Sequence, residues 1–408
     1  MTFMTTCRIC RGPVREFFDF GSQPLSDAFV APPATGPEYR YRLAVGACGE
    51  CGMVQLLEEV PRERMFHAGY PYHSSGSAVM RAHFAAAARR LREAECRRPD
   101  PFVVEIGCND GIMLRTLAAD GVRHLGIDPS RGVADLAAAA GVRVRVDFFE
   151  QSTALAVRAE EGPADVIFAA NTICHIPYLD SVLRGVDALL APDGVFVFED
   201  PYLGDVLDRS SFDQIYDEHF YLFSATSVRA VAERAGLALV DVERLPVHGG
   251  EVRYTLARAG RRQPRPAVAA LIGDERRREL TGPAALDRFA ANVKHNCAEL
   301  TTLLHKLRDD GAHVVGYGAT AKSATVTNYC GIGPGLLDAV FDSTPAKQGR
   351  LTPGVHLPVR PLAEFRDPFP DYAVLFAWNH ADEIIANERE FRERGGRWIM
   401  YVPEVRVI

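Results

Sequence analysis

The chain has 408 residues and a formal net charge of -7, which predicts more than one domain, because single hydrophobic cores stop growing near ~250 to 300 residues. The acidic balance disfavours a nucleic-acid surface, which needs a basic face, but leaves room for a local basic pocket. No run of about 18 apolar residues occurs, and Met1-Thr2-Phe3-Met4 lacks a charged segment followed by an apolar one, so no membrane association is expected and the protein reads as soluble and cytoplasmic.

The chain opens with Cys7-Arg8-Ile9-Cys10 and, later, Cys48-Gly49-Glu50-Cys51. Two CxxC knuckles can aim four thiolates at one centre, which suits tetrahedral Zn²⁺ with no position left for water, hence a structural metal. The proline-rich segment between them has few long apolar runs and is expected to need its metal to fold. Cys96, Cys108, Cys174, Cys297 and Cys330 stand singly in apolar or helical contexts and read as small buried hydrophobes. After an aromatic loop from Phe66 to Ser75, an alanine- and arginine-rich helix is expected over Ala78 to Glu95.

From Phe102 to Phe198 short strands alternate with helical patterns, which predicts a parallel α/β sheet. Within it, Val103-Val104-Glu105-Ile106-Gly107-Cys108-Asn109-Asp110-Gly111 reads as a buried strand, a glycine turn and a helix start, and Leu125-Gly126-Ile127-Asp128 follows one βα unit later. Asp128 could accept hydrogen bonds from two ribose hydroxyls. The acidic turn would repel a pyrophosphate and suits a cationic adenosine ligand. This pair resembles motif I and the ribose-binding acid of class I S-adenosylmethionine-dependent methyltransferases.

Strands over Leu237 to Arg244 and Glu251 to Ala257 follow, then a basic linker, Arg258 to Pro266. The spacing from Leu286 to Leu307 predicts one long amphipathic helix. His313 to Lys322 reads as a second strand, glycine turn and helix, and strands ending at Asp342 and Asn379 should bring their carboxyl ends to the same crevice. The glycine turn with Lys322 suits a phosphate-bearing ligand. A purely structural α/β layer is the plainer alternative.

The densest cluster of titratable and aromatic side chains is Asp200 to Asp205 with Phe212 to Phe223, including Tyr216-Asp217-Glu218-His219. A base with polar neighbours is what removal of a weakly acidic C–H requires.

Together, the four cysteines, the Glu105 to Gly111 loop, the Tyr216 to His219 segment and the Gly316-Tyr317-Gly318-Ala319-Thr320-Ala321-Lys322 unit resemble the nucleotide-sugar C-methyltransferases of antibiotic deoxysugar biosynthesis, throughout the chain. The resemblance implies a zinc-binding domain (1–68), a seven-stranded Rossmann-like methyltransferase domain (69–258) and a second α/β domain for the nucleotide sugar (259–408). It implies C3 methylation of a dTDP-linked 4-keto deoxysugar through an enolate, with C5 methylation the nearest alternative and a zinc-knuckle RNA or small-molecule O- or N-methyltransferase a remoter one.

In that family's pattern His219 is the general base, with Glu218, Tyr216 and His175 around the ketosugar; His175 could instead be structural. The cofactor set would be Glu105, Gly107, Asn109, Gly111, Asp128, Asp147, Phe148 and Asn171, closed by Tyr70, Tyr72 and Ser75. The sugar nucleotide would meet Tyr202, His248, Gly249, Tyr317, Gly318, Ala321, Lys322, Asp342 and Asn379. His248-Gly249-Gly250-Glu251 resembles the family's His-Gly-Gly-Ser turn, with Glu251 in place of the small hydroxyl residue. The methylated carbon, the sugar and the oligomeric state stay open.

Overall fold

The computed structural model describes residues 4–34, 36–67 and 70–408. It is built around three sheets. The first is antiparallel, in the order β1 (Met4–Thr6), β2 (Pro13–Pro24), β3 (Arg40–Cys48), β4 (Val54–Leu56) and then β10 (Tyr221–Leu222). Tyr221 and Leu222 pair with Gln55 and Val54, so a segment far along the chain finishes the N-terminal lobe. The expected 68/69 domain boundary lies outside the described residues.

The second sheet has seven strands. β5 (Phe102–Ile106) is central, with β6 (Arg123–Ile127) and β7 (Val144–Arg145) on one side; on the other lie β8 (Ala164–Ala170), β9 (Leu190–Pro201), β12 (Glu251–Arg258) and β11 (Leu237–Leu245). β12 runs antiparallel to both β9 and β11, while the pairings from β7 through β9 are parallel. This is the class I methyltransferase topology expected above. All five residues of β5 are buried, as befits a strand covered by helices on both faces.

The third sheet follows the order β15 (Val359–Pro361), β14 (Val340–Asp342), β13 (Val314–Tyr317), β16 (Tyr372–Leu375), β17 (Arg397–Met400), β18 (Arg406–Val407), parallel except for β18. The expected long helix spans Pro283–Asp309, burying Leu286, Phe289, Val293, Leu300, Leu304 and Leu307. No described helix is long and apolar enough to cross a membrane.

One expectation is corrected. Cys297 and Cys330 are not isolated core residues but a disulfide, with Cα atoms 5.6 Å apart, joining the long helix to the end of the helix Ala321–Tyr329. The basic stretch after Arg258 is docked on the methyltransferase sheet: Arg262 makes a two-point ion pair with Glu95 and donates to the Asp193 carbonyl.

Candidate active site

In each α/β sheet the chain winds outward in both directions from one strand, so a crevice opens at the carboxyl ends between β5 and β8 and between β13 and β16. The two crevices face one cleft. Gly107, Asp128 and Asn171 line it from the methyltransferase side, Thr320, Lys322 and Asn379 from the C-terminal side. Asp27 and Arg62 reach it from the N-terminal lobe.

The methyltransferase side of the cleft is organised by Asp128. Its carboxylate accepts from the Asn109 backbone N–H at 2.9 Å and the Ser130 N–H at 2.8 Å. Burial pushes its pKa up to about 6 against those hydrogen bonds, and its remaining lone pairs are available to ribose hydroxyls. Gly107 has φ +68°, and a Cβ there would fall 2.3 Å from Thr172 Oγ1, so only glycine fits. Asn109 holds the loop above: it accepts from Ser74 N–H and donates to the Tyr72 carbonyl. Asp110 accepts from the Ser75 N–H and hydroxyl. Phe148 lines the cleft with the Arg62 guanidinium 4.1 Å from its ring centre.

Beside it lies a buried cluster of titratable side chains. His219 Nδ1 lies 2.7 Å from the Gln214 carbonyl, which can only accept, so Nδ1 carries the proton. Nε2 is then the basic nitrogen, and the Tyr216 hydroxyl donates to it at 2.8 Å. Burial, followed by His175 and the positive Lys322, holds the His219 pKa well below its usual value, so the ring is neutral at neutral pH. The Glu218 carboxyl accepts from the Tyr70 hydroxyl at 3.0 Å. Burial, then repulsion from Asp27 and Asp217, drives its pKa far upward. His175 lies against His219 with ring centres 5.1 Å apart, and among the described residues its Nε2 has no hydrogen-bond partner.

The structure thus gathers Tyr70, Tyr72, Gly107, Asn109, Asp128, Phe148, Asn171, His175, Tyr216, Glu218, His219, His248, Ala321, Lys322 and Asn379 around one cleft. Other expected positions lie off it. Glu105 alternates with Ile106 on β5; Ile106 faces the cleft, so Glu105 points away and takes a backbone hydrogen bond from Leu114. Gly111 packs against Ala137 and Val142. Asp147 is exposed and accepts from its own neighbour's N–H, at Phe148. Ser75 is committed to Asp110.

Among the residues expected to meet the sugar nucleotide, the Tyr202 hydroxyl donates to Glu275 and the Tyr317 hydroxyl to Glu388, which turns both away from the cleft. Asp342 accepts from the Ala319 and Thr344 N–H groups and so shapes the glycine turn from behind. Gly318 and Gly249 serve close packing against Ala377 and Trp378. His380, expected beside Asn379 at the end of its strand, lines the cleft, and so do Asp27, Arg62 and Lys347, which sequence reasoning missed. Lys347 donates to the Ala319 carbonyl at 2.8 Å and sits 3.8 Å from Asp27.

Away from the cleft, Cys7 and Cys51 Sγ atoms are 3.7 Å apart and those of Cys10 and Cys48 3.3 Å; all four lie within 4.8 Å of one another. Four sulfurs about 2.3 Å from one zinc must sit about 3.8 Å apart, so the set fits a tetrahedral ion. Its shell is complete without water.

A seven-stranded sheet with an antiparallel β12, a glycine turn after its central strand and a carboxylate closing the next define a class I S-adenosylmethionine-dependent methyltransferase. Family models agree along the chain: a zinc-binding domain matches residues 7–66, a methyltransferase domain 80–242 and a C-methyltransferase C-terminal domain 246–403. The C-methyltransferase NovU of Streptomyces niveus is 34% identical over 406 residues, covering 98% of this chain and 96% of its own. The chain therefore belongs to this family of zinc-containing C-methyltransferases, and it is an S-adenosylmethionine-dependent enzyme.

A ubiquinone biosynthesis O-methyltransferase of Burkholderia pseudomallei is 28% identical over 180 residues, 40% of this chain and 76% of its own. A crystal structure of an S-adenosylmethionine-dependent methyltransferase from Anabaena variabilis aligns over 45% of this chain and 86% of its own, at 17% identity and a TM-score of 0.35.

Proposed function

We propose that the enzyme transfers a methyl group to the carbon beside the ketone of a dTDP-linked 4-keto deoxysugar, at C3, in antibiotic sugar biosynthesis. The observation that carries this reading is the His219 ring, neutral and with its basic Nε2 in a cleft shared by two nucleotide-type folds. An O-methyl transfer needs no carbon acid to be deprotonated; a C-methyl transfer does.

With the sugar bound, the Tyr216 hydroxyl turns from His219 Nε2 to the ketone oxygen and frees the single lone pair of Nε2. Nε2 then takes the proton from the acceptor carbon, the C–H electron pair becomes an enolate, and the Tyr216 hydroxyl stays on the oxygen where the charge develops. A donor placed where charge develops is worth several kcal/mol in rate, about 2.7 to 4 for one well-placed group. The enolate charge offsets the cost of a buried imidazolium beside Lys322. S-adenosylmethionine supplies an electrophilic methyl group on a sulfonium. The residues around Asp128 and the Tyr70 to Ser75 loop hold donor and acceptor in line and keep water out, which is most of what in-line displacement asks of a protein.

Lys322, at the first turn of its helix, and Lys347 are the cations suited to the acceptor's diphosphate. C5 flanks the same ketone, and the same base serves it. Product NMR after incubation of a dTDP-4-keto sugar with methyl-labelled cofactor tests the reading: the label on C3 supports it, the label on C5 replaces it by the neighbouring chemistry, and the label on oxygen refutes it.

A further inference from the structure

The His219 ring is oriented by a main-chain carbonyl, that of Gln214, which accepts from Nδ1 at 2.7 Å. Gln214 is the last residue of a 3₁₀ turn only three residues long, Phe212–Gln214. So short a turn makes few bonds of its own, yet a catalytic ring must be held within about 0.5 Å of its working position. The carbonyl is therefore placed by whatever grips the residues on either side of it.

That grip comes from the C-terminal domain. The Asp213 carboxyl is fully buried and accepts at Oδ2 from the Trp378 indole N–H and from the Tyr401 hydroxyl, each at 2.6 Å. On the other side of Gln214 the Thr325 hydroxyl donates to the Ile215 carbonyl at 3.0 Å. The Gln214 side chain donates to the His248 carbonyl at 2.8 Å. Trp378 directly precedes Asn379, and Thr325 stands one turn beyond Lys322 on the helix Ala321–Tyr329; Asn379 and Lys322 both line the cleft. A buried carboxyl is costly unless it is hydrogen-bonded, and both donors that bond this one belong to the same domain.

The placement of the carbonyl decides the tautomer. With it in position Nδ1 holds the ring proton and Nε2 keeps its lone pair. With it displaced the proton is free to sit on Nε2, and the nitrogen that must accept from carbon is then occupied. We propose that Asp213 is a positioning residue for the base: held by Trp378 and Tyr401, it fixes the Gln214 carbonyl, so that the C-terminal domain sets the tautomer and direction of His219 from behind. Asp213 itself touches no ligand. The proposal rests on His219 being the base, as read above.

The test uses the full-length chain. Trp378→Phe/Tyr401→Phe removes both donors and leaves aromatic rings in place. Asp213→Asn is the conservative control: its amide oxygen at Oδ2 still accepts from both donors, and its N–H₂ group falls at Oδ1, which has no partner among the described residues. The ¹⁵N shifts of His219 report the tautomer in the protein without ligands. NMR in D₂O reports deuterium wash-in beside the ketone of dTDP-4-keto-6-deoxyglucose with S-adenosylhomocysteine present. The parent enzyme and Asp213→Asn should show one tautomer, Nδ1–H, and similar exchange rates. The double variant should show mixed tautomers and, at saturating sugar, exchange about 10- to 100-fold slower, as for a reacting group displaced by about 1 Å; KM for the sugar and Kd for S-adenosylhomocysteine should not change. Tyr401→Phe, which loses one oxygen and nothing else, covers the case in which the double variant does not fold, and should move both readouts the same way to a smaller extent.

An unchanged rate, a slower rate with the Nδ1–H tautomer intact, or a slower rate matched by equal loss of sugar or S-adenosylhomocysteine affinity overturns the role of Asp213. His219→Asn separates this from the reading beneath it. If His219→Asn abolishes exchange while the double variant exchanges normally, Asp213 alone is removed. If His219→Asn exchanges at the parent rate, or the parent enzyme does not exchange at all, the base reading falls and the proposal with it.

Discussion

Glu383 of the C-terminal domain accepts from the Ser77 hydroxyl at 2.7 Å and from the Ala78 backbone N–H at 3.2 Å, capping the helix Ala78–Glu95 from another domain. Ser77 also closes the loop that Asn109 and Asp110 hold through Ser74 and Ser75. The C-terminal part of the chain therefore clamps that loop. Removal of a helix cap costs about 1 kcal/mol, which corresponds to roughly fivefold in an equilibrium constant. Glu383→Ala should raise the Kd for S-adenosylmethionine by about that factor and speed amide hydrogen exchange around Ala78; exchange rates there that do not change would show that the contact is incidental.

Asp128 has two backbone donors and a position at the end of β6. Asp128→Asn replaces one acceptor oxygen by an N–H₂ group, which cannot accept from either a backbone N–H or a ribose hydroxyl. Calorimetry should show S-adenosylmethionine affinity falling on the order of 10- to 100-fold, with binding of a dTDP sugar little altered. Equal loss on both ligands would mean that the substitution damages the fold and not a ribose contact.

The zinc lobe holds β10 through β4, and the Leu56 N–H donates to the Phe220 carbonyl. Phe220 follows the candidate base directly, so the four-cysteine lobe supports the Tyr216 to His219 segment at one remove. Cys48→Ser should lower the bound zinc from about one ion per chain and give insoluble or thermally weakened protein, as expected where metal binding is folding energy. A soluble, active variant without zinc, by metal analysis and activity assay, would exclude a structural metal.

The His175 pKa is lowered from 6.5 to about 3, first by burial and then by the Lys322 charge. Between those values the unfolded chain holds a proton on this ring and the folded one does not, so stability rises with pH across that window. His175 thus contributes stability that is intact above about pH 6.5 and is lost as pH falls toward 3, at up to about 1.4 kcal/mol per pH unit. Denaturation curves of His175→Phe should depend less steeply on pH from 6.5 to 5 than those of the parent protein. An identical slope would mean that His175 is not buried as a neutral ring.

The elements with local signals could be read from the chain itself: the paired CxxC knuckles, the glycine turn after a five-residue apolar strand, the 3- and 4-residue spacing of the long helix, and the Tyr216 to His219 cluster. What escaped depends on distant partners. Whether Tyr202 faces a substrate is decided by Glu275, and the direction of Tyr317 by Glu388, 73 and 71 residues away. Cys297 meets Cys330 only because two helices pack together, and their separation of 33 residues has no pattern to mark it. Asp27 enters the cleft because its loop docks on the C-terminal domain, where Val30 bridges to Leu351. β10 is two residues long, too short for any periodicity to announce it.

The central claim is that His219 Nε2 removes the proton beside the ketone. NMR of a dTDP-4-keto sugar incubated in D₂O with enzyme and S-adenosylhomocysteine measures that step without methyl transfer. The parent enzyme should wash deuterium into the carbon next to the ketone, while His219→Asn, still binding S-adenosylmethionine, should leave that carbon fully protonated over the same time. Exchange in His219→Asn at the parent rate would remove His219 as the base.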